Sequence, residues 1–263
     1  MPTATLNVAG CHSPRRADER YRVVAQDEGA QDYVGAVEAA LAKAIEHAGS
    51  VYGWTPLEPI CAHLFSHDDS FVQGLQQVAA LSPNFAAGIG DRGGINGVDS
   101  HTGNDAIFLN LSAVRSVPFI ATHEYPHIVQ GYVEHGAAPI WFLEGISEWE
   151  AGRLQGDPNP TWISSFVEIA HAGGEPELSR LVNGHQWLEL NEPVPAYFKV
   201  RLALMYLERI AGPEAAPSLL RDENIVDPLV DFEPAFRILT GMTVDEFDDQ
   251  LLPFAEELIA GSG

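Results

Sequence analysis

The sequence predicts a mixed α+β protein, with a small N-terminal mixed sheet and its helices followed by a mostly helical C-terminal half. Two observations carry this reading. Strand-like runs, above all Ile-Phe-Leu-Asn-Leu-Ser at 107–112, lie in the first half, and helical periodicity dominates after residue 115. The change happens once, which is the pattern of segregated strands and helices and not of alternating βα units. The 263 residues suit one continuous domain, read here as an α/β part over 1–115 and a helical part over 116–263. Apolar residues make up 46% and the mean hydropathy is -0.04, so a sizeable core can form and global disorder is excluded.

Residues 1–28 are polar and mixed, and read as a peripheral arm or a first strand. Over 31–49, Val34, Val37, Leu41, Ala44, Ile45 and Ala48 share one helical face, and Gly49 offers a stop. Residues 59–66 alternate weakly and read as a short strand; Asp68 or Asp69 is placed to cap a helix through Leu81. The Gly-, Asn- and Asp-rich stretch 83–106 reads as a long loop with room for one short strand. Helices are expected over 116–135 and 139–154, then near 160–171, 196–211, 213–221, 232–240 and 243–260.

There are 37 acidic against 14 Lys and Arg residues, a net charge of -23. Such a chain repels nucleic acid and anionic membranes, so neither is expected as a partner, and acidic substrates are slightly disfavoured. No run approaches the ~20 apolar residues that span a bilayer. The first sixteen residues lack a basic segment ahead of an apolar run and do not read as a signal peptide. The expected compartment is the cytoplasm, or the exterior if a signal peptide has been removed. Cys11 and Cys61 form neither a metal-ligand spacing nor a disulfide framework. A single bridge is open to them, but two buried or idle thiols is the preferred reading.

The chemistry is concentrated in Phe-Ile-Ala-Thr-His-Glu-Tyr-Pro-His-Ile-Val-Gln at 119–130. His123 and His127 are four residues apart and so lie on one helical face, where both imidazoles can reach one ion. Glu124 stands beside that position, placed to act as general base. Phe119, Ile120, Ile128 and Val129 make the helix largely buried, and burying two imidazoles and a carboxylate without a shared partner would be costly. The expected ion is Zn²⁺. For a third ligand, Glu144 and Glu148 share a face of the next helix, and Glu144 is assigned to the metal and Glu148 to a hydrogen bond orienting His123. Glu134 and His135 are poorer candidates, about two turns (~10 Å) further along the first helix. Pro126 interrupts the motif, because it has no N–H for the carbonyl of Thr122 and its ring presses on that carbonyl. A helix that begins near His123, or bends there, is therefore expected.

His-Glu-x-x-His followed by Trp141-Phe-Leu-Glu144-Gly-Ile-Ser-Glu148-Trp149 resembles the gluzincin branch of the zinc metallopeptidases, the peptidase MA clan. The resemblance implies a zincin-like fold, with Glu144, the Glu before Gly, as third zinc ligand. The sixteen residues between His127 and Glu144 are slightly fewer than in aminopeptidase-like members. Residues 196–214 resemble a second segment of that clan, Tyr-x-Lys followed by an apolar helix. There the Tyr donates a hydrogen bond to the oxyanion, which implies that role for Tyr197; Val200 stands where Gly is usual. The exopeptidase Gly-x-Met-Glu-Asn segment has only a superficial echo in Gly93-Gly94-Ile95-Asn96-Gly97. The clan pairs extended substrate with a strand preceding the zinc helix, which makes Ile107–Leu111, or the loop before it, the candidate edge.

The expected activity is thus a zinc-dependent hydrolase, a metallopeptidase or amidase acting on a peptide or small amide. His123, His127 and Glu144 hold the metal, Glu124 is the base, Tyr197 stabilises the oxyanion and Glu148 supports a ligand. Two other readings stand beside it: a zinc-binding homologue without turnover, and the same framework recruited to non-peptide small-molecule chemistry. His171 and His185 are further oxyanion donors to consider, and Arg201 a partner for a substrate carboxylate. Gly-Ile-Gly-Asp-Arg-Gly at 88–93 is not a dinucleotide fingerprint, since no strand–helix unit surrounds it.

Overall fold

The two most apolar strand runs occupy the middle of the sheet, where both faces are covered and an uninterrupted apolar run is the stable choice. A computed structural model of the chain describes residues 11, 19–133, 138–190 and 193–261. Its four strands are β1 (Tyr21–Ala25), β2 (Ile60–Phe65), β3 (Gly94–Val98) and β4 (Asp105–Asn110). Their order is β1-β2-β4-β3. β2 is buried at every position and pairs in parallel with β1 and β4, with Val23 opposite Ala62 and Ala62 opposite Ile107. β3 runs antiparallel to β4 and is the outermost strand on that side. The protein is therefore mixed α+β, as its pattern predicts.

The chain divides into two compact units. The first runs to Val129 and takes in 154–158 as well. A 3-10 turn (Glu28–Tyr33) leads into helix α1 (Val34–Val51). α1 buries Val37, Leu41, Ala44, Ile45 and Ala48, the predicted face, together with Ala40. It passes through Gly49 and stops at Tyr52, where the next residue, Gly53, takes the left-handed conformation (φ 69°) that ends helices at little cost. Helix α2 (Asp68–Gln77) has His67 at its N-cap without a side-chain cap bond. Asp68 and Asp69 lie instead in the first turn, where their charge complements the helix dipole. The glycine-rich stretch holds a short helix, α3 (Pro83–Gly88), and β3. One cluster, including Phe65, Phe71, Leu75, Val78, Ile89 and Phe108, fills one face of the sheet.

Cys11 and Cys61 are joined in a disulfide, which corrects the expectation of two idle thiols. The pairing was illegible because the bridge is made between residues 50 positions apart.

The second unit covers 130–153 and the chain from 159 onward. Between the units the chain runs through two helices, α4 (Val117–Val133) and α5 (Ile140–Gln155). The division at 129/130 leaves the first three turns of α4 with the sheet. Their packing shows why: Tyr125 lies against Trp54 (ring centroids 5.9 Å), and Glu124 lies against Gly94. Further helices are α6 (Trp162–His171), α7 (Gly184–Leu188), α8 (Val194–Ala211) and α9 (Ala215–Leu220). α10 (Phe232–Thr240), α11 (Val244–Asp248) and α12 (Leu251–Gly261) complete the unit. The predicted helix over 243–260 is thus two helices. α7, which the sequence reading did not foresee, begins with a reciprocal capping box between Asn183 and Gln186.

The core of this unit is aromatic. Trp141 makes edge contacts with Phe232 and Phe236, and Tyr206 packs between Phe247 and Phe254. α5 approaches α8 closely at Gly145, where a β-carbon would collide with Leu204 and stand 2.8 Å from the carbonyl of Val200. Lys199 on α8 is buried and forms an ion pair with Asp248 on α11 (2.7 Å), and Asp248 also accepts from the amide of Leu178 (2.9 Å).

Removing one partner of that pair strands the other charge in the core. Asp248→Ala is expected to cost about 3–5 kcal/mol in urea unfolding, and Lys199→Met/Asp248→Leu markedly less than the single change. A second prediction concerns Asp27, which accepts from Ala30 N (3.1 Å), Ser66 N (3.0 Å) and Ser70 Oγ (3.0 Å). Burial alone would raise its pKa, but these hydrogen bonds outweigh burial and hold the carboxyl below the usual carboxylate range. The stability it contributes is present above that range and is lost as pH falls through the lowered folded value. Asp27→Asn should cost about 1–3 kcal/mol at neutral pH and should flatten the acid limb of stability measured by denaturant titration.

Candidate metal centre

α4 is apolar on most of its circumference, with Phe119, Ala121, Tyr125, Ile128 and Val129 buried. Yet Thr122, His123, Glu124 and Gln130 are buried on it too, His123 at 3% and Glu124 at 5% exposure. The helix runs without interruption through Pro126, beginning six residues before His123. Of the two arrangements expected around Pro126, a start near His123 is therefore corrected, and the helix matches the stretch expected over 116–135. The one backbone bond that Pro126 cannot donate, to Thr122, does not end the helix. Thr122 itself is held on both sides: its hydroxyl donates to the carbonyl of Pro118 (2.9 Å) and accepts from Gln155 Nε2 (2.9 Å).

The helical spacing sets the imidazoles of His123 and His127 side by side, with ring centroids 5.2 Å apart and planes at 73°. Glu144 completes the group. His123, His127 and Glu144 each offer one ligand atom, and these atoms all lie within 4.8 Å of one another. Two nitrogens and a carboxylate oxygen within this range form a group that can converge on one tetrahedral ion, around which ligand atoms stand about 3.3 Å apart. α5 is held against α4 near this point, because Gln130 Nε2 donates to the carbonyl of Leu143 (2.9 Å), one residue before Glu144. Glu148 lies one turn further along α5, half-buried like Glu144. The competing candidates Glu134 and His135 fall outside the described residues.

Glu124 is turned towards the sheet. A β-carbon built on Gly94 would stand 2.7 Å from its Oε1 and 2.9 Å from its Cγ. Only glycine lets the backbone of β3 come this close to the carboxylate. This glycine-rich run is part of the loop that the sequence offered as a candidate substrate edge; its strand character depends on pairing with β4. Ile107–Asn110 belongs to β4, which is hydrogen-bonded on both sides, by β2 and β3. It cannot add a further strand, which leaves the loop before it, through β3, as the edge.

The remaining predicted residues lie in the second unit. Tyr197 sits in the first turn of α8, half-buried, its ring edge-on to Trp187 (centroids 5.0 Å). Arg201 is buried, with its guanidinium over the ring of Trp162 (4.6 Å) and against Gly152, so it packs the helices together. His171 and His185 are exposed and sit beside carboxylates, Glu256 (3.0 Å) and Glu189 (3.2 Å). Tyr125, inside the motif, is buried, and burial pushes its phenol pKa up.

Compared with known proteins, the chain matches no family model and no curated protein. No described helix is long and apolar enough to cross a membrane.

The geometry predicts one divalent ion per chain in protein prepared without added metal or reductant. Glu144→Ala should lower this to a small fraction, read by elemental analysis of folded protein. Full metal content in the variant would remove Glu144 from the centre.

Proposed function

We propose that the protein is a zinc-dependent hydrolase with a zincin-like catalytic core, acting on a peptide or another amide. The observation that carries this reading is the position of Glu124. It follows His123 on the helix that carries both imidazoles, and its carboxylate lies against the backbone of the outermost strand at Gly94. A base that follows a metal-competent histidine on the same helix, with its carboxylate next to a strand where extended substrate can pair, suits amide hydrolysis.

His123, His127 and Glu144 would hold the ion. The donor set of two imidazoles and one carboxylate suits Zn²⁺ with an open fourth position. When bound, zinc polarises a carbonyl and makes water a stronger nucleophile at neutral pH. The chain supplies the remaining steps. β3 binds and orients extended substrate through its backbone. Glu124 takes a proton from the attacking water and returns it to the leaving nitrogen. Tyr197 donates to the oxygen that gains charge. Glu148 orients a ligand imidazole.

Glu124→Gln should abolish turnover of a mixed peptide library while leaving metal content unchanged. Gly94→Ala should also keep the metal, but its methyl group displaces the Glu124 carboxylate and should lower kcat/KM about 100-fold. Library turnover by Glu124→Gln equal to that of the wild type would sink the hydrolase reading. Bound zinc with no turnover in any variant would favour a metal-binding protein without catalysis.

A further inference from the structure

A second group of ligand-competent side chains lies in the first unit, far along the chain from the histidine motif. Cys11, Cys61, His63 and Asp99 each offer one ligand atom, and all four atoms lie within 4.8 Å of one another. The strand pleat explains half of it, since residues two apart on β2 point to the same face and bring Cys61 and His63 together. Asp99 follows β3 directly, and Cys11 reaches the group from the N-terminal segment.

These groups are unusually placed for a simple disulfide beside a buried ion pair. His63 is fully buried and stacked on Phe108 (ring centroids 5.0 Å, planes at 11°), and Asp99 is 1% exposed. Asp99 uses Oδ1 for the turn that follows it, accepting from the amides of His101 (2.9 Å) and Thr102 (3.3 Å). Its Oδ2 is buried, has no well-formed hydrogen bond, and faces His63 Nε2 at 3.4 Å. Cys11 Sγ lies 3.9 Å from the same nitrogen. Around a tetrahedral Zn²⁺, nitrogen-to-oxygen and nitrogen-to-sulfur separations of about 3.3 Å and 3.6 Å are expected. The observed spacings are close to both.

The surroundings complete the resemblance to a metal site. Gln26 is buried, its Nε2 is 2.8 Å from His63 Nδ1, and its Oε1 has no hydrogen-bond partner. With the amide turned over, Oε1 accepts from Nδ1–H and the Nε2 lone pair faces the other three groups, the usual orientation of a ligand histidine. Two thiolates, one carboxylate and one neutral imidazole around a divalent ion carry the same net charge as a Cys3His zinc site. A small cleft lined by Arg22, Pro59 and Asn104 opens onto both cysteines.

We propose that Cys11, Cys61, His63 and Asp99 form a redox-gated Zn²⁺ site, closed as a disulfide when oxidised and ligating when reduced. The co-reactant is a dithiol. One of its thiolates attacks a chain sulfur, and the electron pair of the Cys11–Cys61 bond leaves on the other. Its second thiol then resolves the mixed disulfide, so the dithiol ends as a cyclic disulfide and the chain holds two thiols. The ion displaces both thiol protons to solvent, and the sulfurs separate to about 3.8 Å around it. This site is independent of the hydrolase reading, whose ligands contain no sulfur.

That difference supplies the test. The full chain is reduced with a dithiol, freed of it without air, and titrated with Co²⁺ while near-ultraviolet thiolate-to-cobalt charge transfer is followed. Co²⁺ at His123, His127 and Glu144 cannot produce this band. The reduced protein should develop it to one equivalent and lose it on addition of one equivalent of Zn²⁺, while the oxidised protein shows none. Cys11→Ser should lose most of the band, and Asp99→Asn and Gln26→Leu should each weaken Co²⁺ binding about tenfold or more. A reduced chain that shows no such band, whether folded or not by circular dichroism, overturns the proposal. So does a band that neither Asp99→Asn nor His63→Gln alters.

Discussion

A mainly apolar helix that buries Thr122, His123, Glu124 and Gln130 is stable only if each polar group has something to satisfy it, and the surroundings of α4 follow from that demand. Thr122 takes Gln155 from the end of α5, and Gln130 takes the Leu143 carbonyl from its beginning. These two hydrogen bonds tie the two ends of α5 to residues of α4. Glu144 follows Leu143 directly, and its carboxylate belongs to the same group of ligand-competent atoms as the two imidazoles.

The same economy appears in the sheet. β4 is enclosed by neighbours, so any role for a strand edge on that side passes to β3. β3 reaches Glu124 because Gly94 has no side chain to keep it away. In the second unit, by contrast, residues that look functional in sequence serve the fold. Lys199, the lysine of the Tyr-x-Lys segment, is spent on Asp248, and Arg201 on the ring of Trp162. A buried cation needs a compensating charge or an aromatic face, and both residues have found one.

Two donor sets of different chemical character therefore belong to one chain. One is built of imidazole and carboxylate on helices. The other includes two sulfurs and is anchored in the most buried strand of the sheet, with Asp99 held well down at about pKa 2. Burial opposes the Asp99 charge, but the facing His63 and the turn amides outweigh it. In the first set the two imidazoles have a spacing that can be read along a helix; in the second only Cys61 and His63, two apart on β2, are close in sequence.

Local periodicity was enough to determine several features from sequence alone. The buried face of α1, the strand at 107–112, the helical second half and the pairing of His123 with His127 depend on contacts within a few residues, which the 3.6 and 2.0 periods encode. The assignment of Glu144 came from its neighbours in the chain, not from a period shared with the histidines. Tertiary structure alone decided the rest. Helix α4 continues through Pro126 because burial of its flanks outweighs one missing backbone bond. β3 becomes a strand only by pairing with β4, since Gly-Ile-Asn-Gly-Val has little strand propensity of its own. Cys11, Cys61, His63 and Asp99 meet because a parallel sheet joins segments distant in sequence, and no local period records such a meeting.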